Sequence, residues 1–426
     1  MTHRITKCRI CGNQKLSVIL DLGEQTLSGI FPDKPELEHK SPLRLVKCDE
    51  KHSDPYTTPC GHIQMEYTFT PEIMYGEDYG YRSGLNKSMV THLQGRVDEI
   101  LKRFDKNKKV SLEEGDIVLD IAGNDGTTLG FYPSNLRKIN IDPTSEKFKK
   151  YQPEGVEIQP KFFDGAAYAE VVGEDCKPAK VVTAFSMFYD IEDPREFLRD
   201  VKSNLDPDGL VVFEQSYMPL MFKRLAYDTV CHEHLSYYGM RQLKYIMDKA
   251  GFKIVDFEFN DVNGGSISVV VTPATNSERK ECTVKLTGVL AQEIDMGLDT
   301  VQPWEEFSDR INGCKEQFWK IIEFYKNNGA KICALGASTK GNVTLQTWEI
   351  GPEDVQMVGD VNPDKEGSFT PGTWIPIVDE EDVMMREFDL HIVLPWHFRN
   401  FFMNNPKFKG KRLLFPLPEP EVVIIQ

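Results

Sequence analysis

Apolar positions fall into three regimes along the chain. From residue 1 to about 70 they come in short runs broken by turn residues and cysteines, which predicts short strands. Between Leu85 and Phe104 the apolar residues Met89, Leu93, Val97 and Leu101 recur every fourth position, which predicts a helix. From Asp116 the runs 117–121, 138–142, 179–185 and 209–214 alternate with helical stretches. Strands this apolar imply a parallel sheet covered on both faces. Residues 276–328 are charged and helical in pattern, so they read as a connector. A second α/β unit follows, with strands expected at 331–336, 355–360 and 390–395. The expected class is α/β, in three parts spanning 1–70, 71–275 and 276–426.

Composition narrows the partners. A net charge of −16 over 426 residues argues against nucleic acid, whose binding rests on clustered Lys and Arg. No apolar run approaches the roughly 20 residues of a membrane helix. The first residues carry no apolar signal region, and nine cysteines support no paired disulfide framework. A cytoplasmic setting, a small-molecule substrate and a monomer or homodimer are the expectation.

Four cysteines nevertheless fall in the first sixty residues. Cys8 and Cys11 form a C-x-x-C turn, and Cys48 and Cys60 follow. Four thiolates satisfy a tetrahedral zinc ion and leave no open position for catalysis. The Cys48–Cys60 spacing is wider than a tight knuckle, so His52 and His62 stand as alternative ligands.

The turn Asp120-Ile121-Ala122-Gly123-Asn124-Asp125-Gly126 joins an expected strand to a helix, where glycines let a ligand approach the backbone. It is not the G-x-G-x-x-G of dinucleotide sites. Asp142, twenty-two residues after Asp120, ends the next strand, where a carboxylate takes a ribose hydroxyl pair. This pattern is that of an S-adenosylmethionine site. Farther on, Cys231-His232-Glu233-His234-Leu235-Ser236 sets a carboxylate between two imidazoles, as general-base chemistry requires. In an extended segment His232 and His234 share one side and Glu233 takes the other. As H-x-H they are also an alternative metal site, without an evident third ligand. Asn263-Gly264-Gly265-Ser266 reads as a tight turn, and Gly336-Ala337-Ser338-Thr339-Lys340-Gly341-Asn342 as a βα turn able to cradle a diphosphate with Lys340 as its charge. Trp396 and His397 end a late strand, where they cover a nucleotide base or pack a domain interface.

Taken in order, these segments, with Leu22-Gly23-Glu24-Gln25-Thr26-Leu27-Ser28 and Tyr79-Gly80-Tyr81-Arg82-Ser83-Gly84, resemble the NDP-sugar C-methyltransferases of deoxysugar and branched-sugar biosynthesis. The resemblance runs from residue 8 to about 400. It implies a zinc-binding amino-terminal domain, a central class I S-adenosylmethionine domain, and a Rossmann-like carboxy-terminal domain that helps hold a nucleotide-sugar. Three positions depart from the family. Cys231 stands where tyrosine is frequent, and Asp190 and Asn263 stand where histidine is common.

The implied reaction removes a proton beside a keto group, at C-3 next to a 4-keto group, and the resulting enolate attacks a sulfonium methyl. His234 is assigned as base, Glu233 as the group that orients it and raises its pKa, and His232 and Tyr81 as further catalytic candidates. Tyr79, Asp120, Gly123, Asn124, Asp125, Gly126 and Asp142 are expected at the cofactor. Asn263, Gly264, Ser266, Lys340, Asn342 and His397 are expected at the substrate, and Cys8, Cys11, Cys48 and Cys60 at zinc. The competing classes are an NAD-dependent sugar oxidoreductase, which lacks its fingerprint here, and a non-enzymatic zinc-domain adaptor, which leaves the His-Glu-His cluster without a task.

Overall fold

The computed structural model describes residues 2–35, 39–49, 58–75, 81–104, 110–174 and 176–426. Its centre is a seven-stranded sheet, numbered here in chain order: β1 (Ile117–Ile121), β2 (Arg137–Ile141), β3 (Val156–Gln159), β4 (Ala179–Phe185), β5 (Leu205–Ser216), β6 (Phe252–Asn260) and β7 (Ser266–Pro273). The spatial order is β6-β7-β5-β4-β1-β2-β3. β7 runs antiparallel to both its neighbours, while the other pairs in the sheet are parallel. This is a doubly wound α/β sheet, and its β1 and β4 adjoin at the point where strand order reverses. Ligands bind at such a switch point, beyond the carboxyl ends of the strands. β1 is buried at all five positions, which is why it reads as an unbroken apolar run.

The helix expected at 85–104 spans Lys87–Lys102 and is capped by the Asn86 side chain, which accepts from the Ser88 N–H. Leu93, Val97 and Ile100 form its buried face. Leu101 is half-buried against the same core, whereas Met89 leaves that face and lines a cavity.

The carboxy-terminal sheet has six strands, with Ile332–Leu335 central between Val358–Asp360 and Leu390–Val393. The connector resolves into two helices with different allegiances. Leu286 and Val289 of Thr283–Asp295 join the apolar core of the central sheet, whereas Trp304, Phe307, Ile311 and Phe318 of Gln302–Asn327 join that of the carboxy-terminal sheet.

The amino-terminal strands Leu16–Gln25, Ser41–Cys48 and Ile63–Met65 form an antiparallel sheet whose fourth strand, Ser236–Tyr237, comes from the central part of the chain. This small sheet is wedged between the two larger units. Cys8, Ile10, Cys48 and Cys60 pack with the central core, and Ile19, Leu45, Ile63 and Met65 with the carboxy-terminal one. Among the described residues no helix is long and apolar enough to cross a membrane.

Candidate active site and zinc site

The sulfur atoms of Cys8, Cys11, Cys48 and Cys60 lie within 4.8 Å of one another, with Cys8–Cys60 at 3.6 Å and Cys11–Cys48 at 3.5 Å. A tetrahedral ion with Zn–S bonds of about 2.3 Å separates its sulfurs by about 3.8 Å, so the four fit zinc. The Asn13 side chain donates to Cys48 Sγ at 3.4 Å, which favours the thiolate a metal needs. His62 is not a ligand. It is fully buried, with Nε2 against Ser236 Oγ at 3.1 Å, and burial pushes its pKa down to about 3. His52 lies outside the described residues.

Two cavities, of about 320 and 330 Å³, share a wall made of Tyr75, Tyr81, Met89, Ser186 and Asp190. The first opens over the carboxyl ends of β1, β2 and β4. Asp120, Gly123, Asn124 and Asp142 line it. Asp142 accepts from the Asn124 N–H at 2.8 Å and from the Thr144 N–H and hydroxyl at 2.5 and 2.6 Å, so the carboxylate is rigidly aimed. Asp120 accepts from the Thr183 hydroxyl at 2.5 Å, and burial raises its pKa to about 7. Ala122, Asn124 and Ser186 all take positive φ here, a cost that clusters at binding sites.

Two neighbouring expectations need correction. Asp125 and Gly126 do not line this chamber. Asp125 accepts from the Gly84 N–H at 2.8 Å and fixes the 83–85 turn, and Gly126 turns at φ +75° against Gln152 and Pro153. Gly123 is required for a different reason than ligand approach: a Cβ there would meet Asn140 Oδ1 at 2.6 Å and Asp120 Oδ2 at 2.7 Å. Tyr79 lies outside the described residues, whereas Tyr81 lines both chambers.

The second chamber draws on every part of the chain. Gly29 and Phe31 come from the amino-terminal unit, Cys231, Glu233, His234 and Asn263 from the central one, and Lys340, Lys365 and His397 from the last. His234 Nδ1 sits 2.7 Å from the Thr229 carbonyl, so Nδ1 carries the proton and Nε2 does not. The ring packs on Tyr189 with centroids 4.2 Å apart. Burial, and then the positive Lys340, push its pKa down to about 3. The expected role of Glu233 in raising that pKa is therefore overturned. Glu233 turns towards the amino-terminal unit, where it accepts the Gly29 N–H at 3.1 Å, and burial holds its own pKa up.

His232 is also misplaced by the sequence reading. The segment makes a turn, with the His234 N–H on the Cys231 carbonyl, so the two imidazoles diverge. His232 lies 1% exposed against Phe69, with Nε2 3.2 Å from the Ser41 carbonyl, and does not reach the chamber.

Among the expected substrate residues, Asn263, Lys340 and His397 line the chamber. Lys340 donates to the Asn263 carbonyl, close to Gly264 in the turn between β6 and β7. Ser338 caps the helix Thr339–Trp348, whose first turn faces the same space. Ser266 and Asn342 stand apart. Ser266 donates to the Val262 carbonyl and closes the turn, and Asn342 is fully buried with its amide on the Ser28 carbonyl at 2.8 Å. Trp396 packs the domain interface, donating to Asp228 at 2.7 Å.

Lys365 escaped the sequence reading. It reaches the chamber from a short turn, donating to the Ala337 carbonyl at 2.7 Å over the Phe31 ring. No local motif marks it, because only the fold brings it there. The three positions that depart from the family pattern, Asp190, Cys231 and Asn263, all line this one chamber.

Family models match in the same order as these units. "Putative zinc binding domain" covers residues 8–75, "Methyltransferase domain" covers 89–256, and "C-methyltransferase C-terminal domain" covers 261–418. Together the three matches identify the chain as a C-methyltransferase with a zinc-binding amino-terminal domain. It is 27% identical over 430 residues to the C-methyltransferase NovU of Streptomyces niveus, covering 98% of this chain and 97% of that one. Solved structures align over less. The CurJ carbon methyltransferase covers 45% of this chain and 56% of its own at 17% identity and a TM-score of 0.33. LepI in complex with SAM covers 45% and 54% at 14% identity and a TM-score of 0.32. The methyltransferase matches set aside the oxidoreductase and adaptor classes. The methyl donor is S-adenosylmethionine, and the amino-terminal thiols are a structural zinc site.

Proposed function

We propose that this protein methylates carbon on a nucleotide-linked keto-deoxysugar, at the carbon beside the keto group, C-3 next to a 4-keto group. The observation that carries the proposal is His234. Its Nδ1 is pinned to the Thr229 carbonyl, so a neutral imidazole with a free Nε2 faces a chamber that adjoins the cofactor's. A base for carbon needs this state at rest. Bound S-adenosylmethionine supplies an electrophilic methyl group. Asp142, Asp120, Asn124 and Gly123 are the residues that would hold it in the first chamber.

In the second chamber His234 takes the proton from carbon. Lys340 and Lys365, beside the start of the helix Thr339–Trp348, supply the positive charge that a diphosphate needs. His397 and Asn263 bound the sugar. Glu233 holds the catalytic segment against Gly29, and Tyr81 closes the shared wall.

The test is mass spectrometry of a panel of nucleoside-diphosphate ketosugars incubated with enzyme and S-adenosylmethionine. A gain of one CH2 located on carbon is expected. A panel that gains methyl on oxygen or nitrogen, or not at all, contradicts the reading.

A further inference from the structure

Among the described residues Asp190 is the one carboxyl lining both chambers, on the wall they share. It ends the short helix Phe188–Asp190 just beyond β4, one residue from the Tyr189 ring that packs on His234. Oδ1 is buried without a hydrogen-bond partner among the described residues. The groups facing it are Tyr75, whose hydroxyl bonds to it, and the acidic groups Glu233, Cys231 and Tyr237. None of these is a cation.

Removing a proton beside a ketone places negative charge on the carbonyl oxygen, which needs a donor. The Lys340 ammonium is on the Asn263 carbonyl and Tyr81 bonds to Ser83. Glu233 Oε2, Ser216 Oγ and His397 Nδ1 are also buried without partners, but they line only the second chamber, whereas Asp190 lines the wall common to both. We infer that Asp190, in its uncharged form, donates a hydrogen bond to the carbonyl oxygen of the substrate and stabilises the enolate that His234 generates.

Burial, with Glu233 nearby and against the Tyr75 hydrogen bond, holds the Asp190 carboxyl well above the usual carboxylate range, which favours the acid form. An acid kept neutral by its surroundings is a stronger donor than a hydroxyl, and this use of a carboxyl is known chemistry. The last torsion of the side chain is soft, so either oxygen turns to the chamber. The donor then stands in the wall shared with the first chamber, one residue from the Tyr189 ring that packs on the base.

The inference rests on the proposed function, and the tests separate the two. In infrared difference spectra of full-length enzyme at neutral pH with S-adenosylhomocysteine, wild type should show a protonated-carboxyl band that Asp190→Asn lacks. Identical spectra would overturn the assignment. With TDP-4-keto-6-deoxyglucose, or whichever ketosugar of the panel is turned over, Asp190→Ala should lower kcat by about 100-fold or more with little change in KM. Asp190→Asn, which still donates, should recover to within about tenfold of wild type. Wild type should lose activity as pH rises through the Asp190 ionisation, and Asp190→Asn should lack that alkaline limb. Wild-type kcat in Asp190→Ala overturns the inference and leaves the proposed function standing. Failure of wild type to methylate any ketosugar overturns both.

Discussion

The two chambers share a wall but are assembled in opposite ways. The cofactor chamber is lined from the central unit alone: the stretch from Asp120 to Thr144, in which a strand, a turn and the next strand deliver polar groups side by side, is closed over by residues between 71 and 93 and between 162 and 192. The substrate chamber takes Gly29, Tyr75, Asp190, His234, Asn263, Lys340, Lys365 and His397 from segments hundreds of residues apart. Its key segment hangs on the amino-terminal sheet rather than on the methyltransferase sheet, through Ser236–Tyr237. A chamber made locally keeps its shape with its own sheet. A chamber made by three units depends on how they dock. The first is therefore suited to a constant cofactor, and the second to a specific substrate.

The largest test of this contrast removes the metal. Cys60 lies two residues before His62, which touches Ser236, and five before Met65, whose N–H bonds to the Leu235 carbonyl. Cys60→Ser should lower zinc from about one ion per chain and abolish ketosugar turnover. S-adenosylhomocysteine should still raise the melting temperature, because the cofactor chamber stands on the central sheet. His62→Ala should keep its zinc. Equal loss of cofactor binding and turnover in Cys60→Ser would erase the distinction between the chambers.

His234→Asn comes next. It keeps approximate size and removes the basic nitrogen, so turnover should fall about 100- to 10,000-fold while cofactor binding holds. Solvent deuterium exchange into the substrate, if wild type supports it, should fall in parallel. The depressed pKa has a sign that can be checked. The base form exists above pH about 3 and is lost only as pH falls through that value. The pH profile of kcat should therefore show no acid limb near 6.5. In the unfolded chain the same imidazole titrates near 6.5, so its contribution to stability is lost progressively as pH drops from about 6.5 to about 3. An acid limb near 6.5 that survives in well-folded enzyme would mean that burial and Lys340 do not govern this group.

The same contrast explains what the sequence could tell. The parallel strands, the zinc thiols and Asp120 and Asp142 at the switch point were legible because each rests on local spacing. His234, Lys340, Asn263 and His397 were nameable as separate motifs, but their convergence was not. Lys365 and Gly29 carry no signal at all. The errors share one cause. Reading 231–235 as extended put His232 and His234 on one side, whereas a turn separates them. Placing Glu233 beside His234 ignored the amino-terminal unit, which claims the carboxyl through Gly29. Asn342, likewise, serves docking through Ser28.

Asp142→Ala should act on the cofactor chamber alone. Loss of a charged hydrogen-bond partner is worth about 1–3 kcal/mol, so calorimetry should show S-adenosylhomocysteine binding weakened by that amount. The substrate KM at saturating cofactor should stay near wild type. Undiminished binding would move the ribose to another group, and an equal rise in both constants would mean that the shared wall transmits the change.

The smallest expected effect tests the line around the substrate chamber itself. His232 is two residues from His234, yet its Nε2 meets the Ser41 carbonyl at 3.2 Å and its ring stands edge-on to Phe69 at 5.0 Å. Burial lowers its pKa to about 4, so it is neutral at working pH, and a neutral imidazole holding a carbonyl must donate from Nε2. His232→Gln keeps a donor of comparable reach. It should cost about 1 kcal/mol of stability, the net worth of one imperfectly replaced hydrogen bond. kcat should stay within about tenfold of wild type, with the pH profile unmoved, because no proton passes through this ring. A fall of 100-fold or more at unchanged melting temperature would place His232 in the reaction, and the substrate chamber would then extend to the amino-terminal sheet.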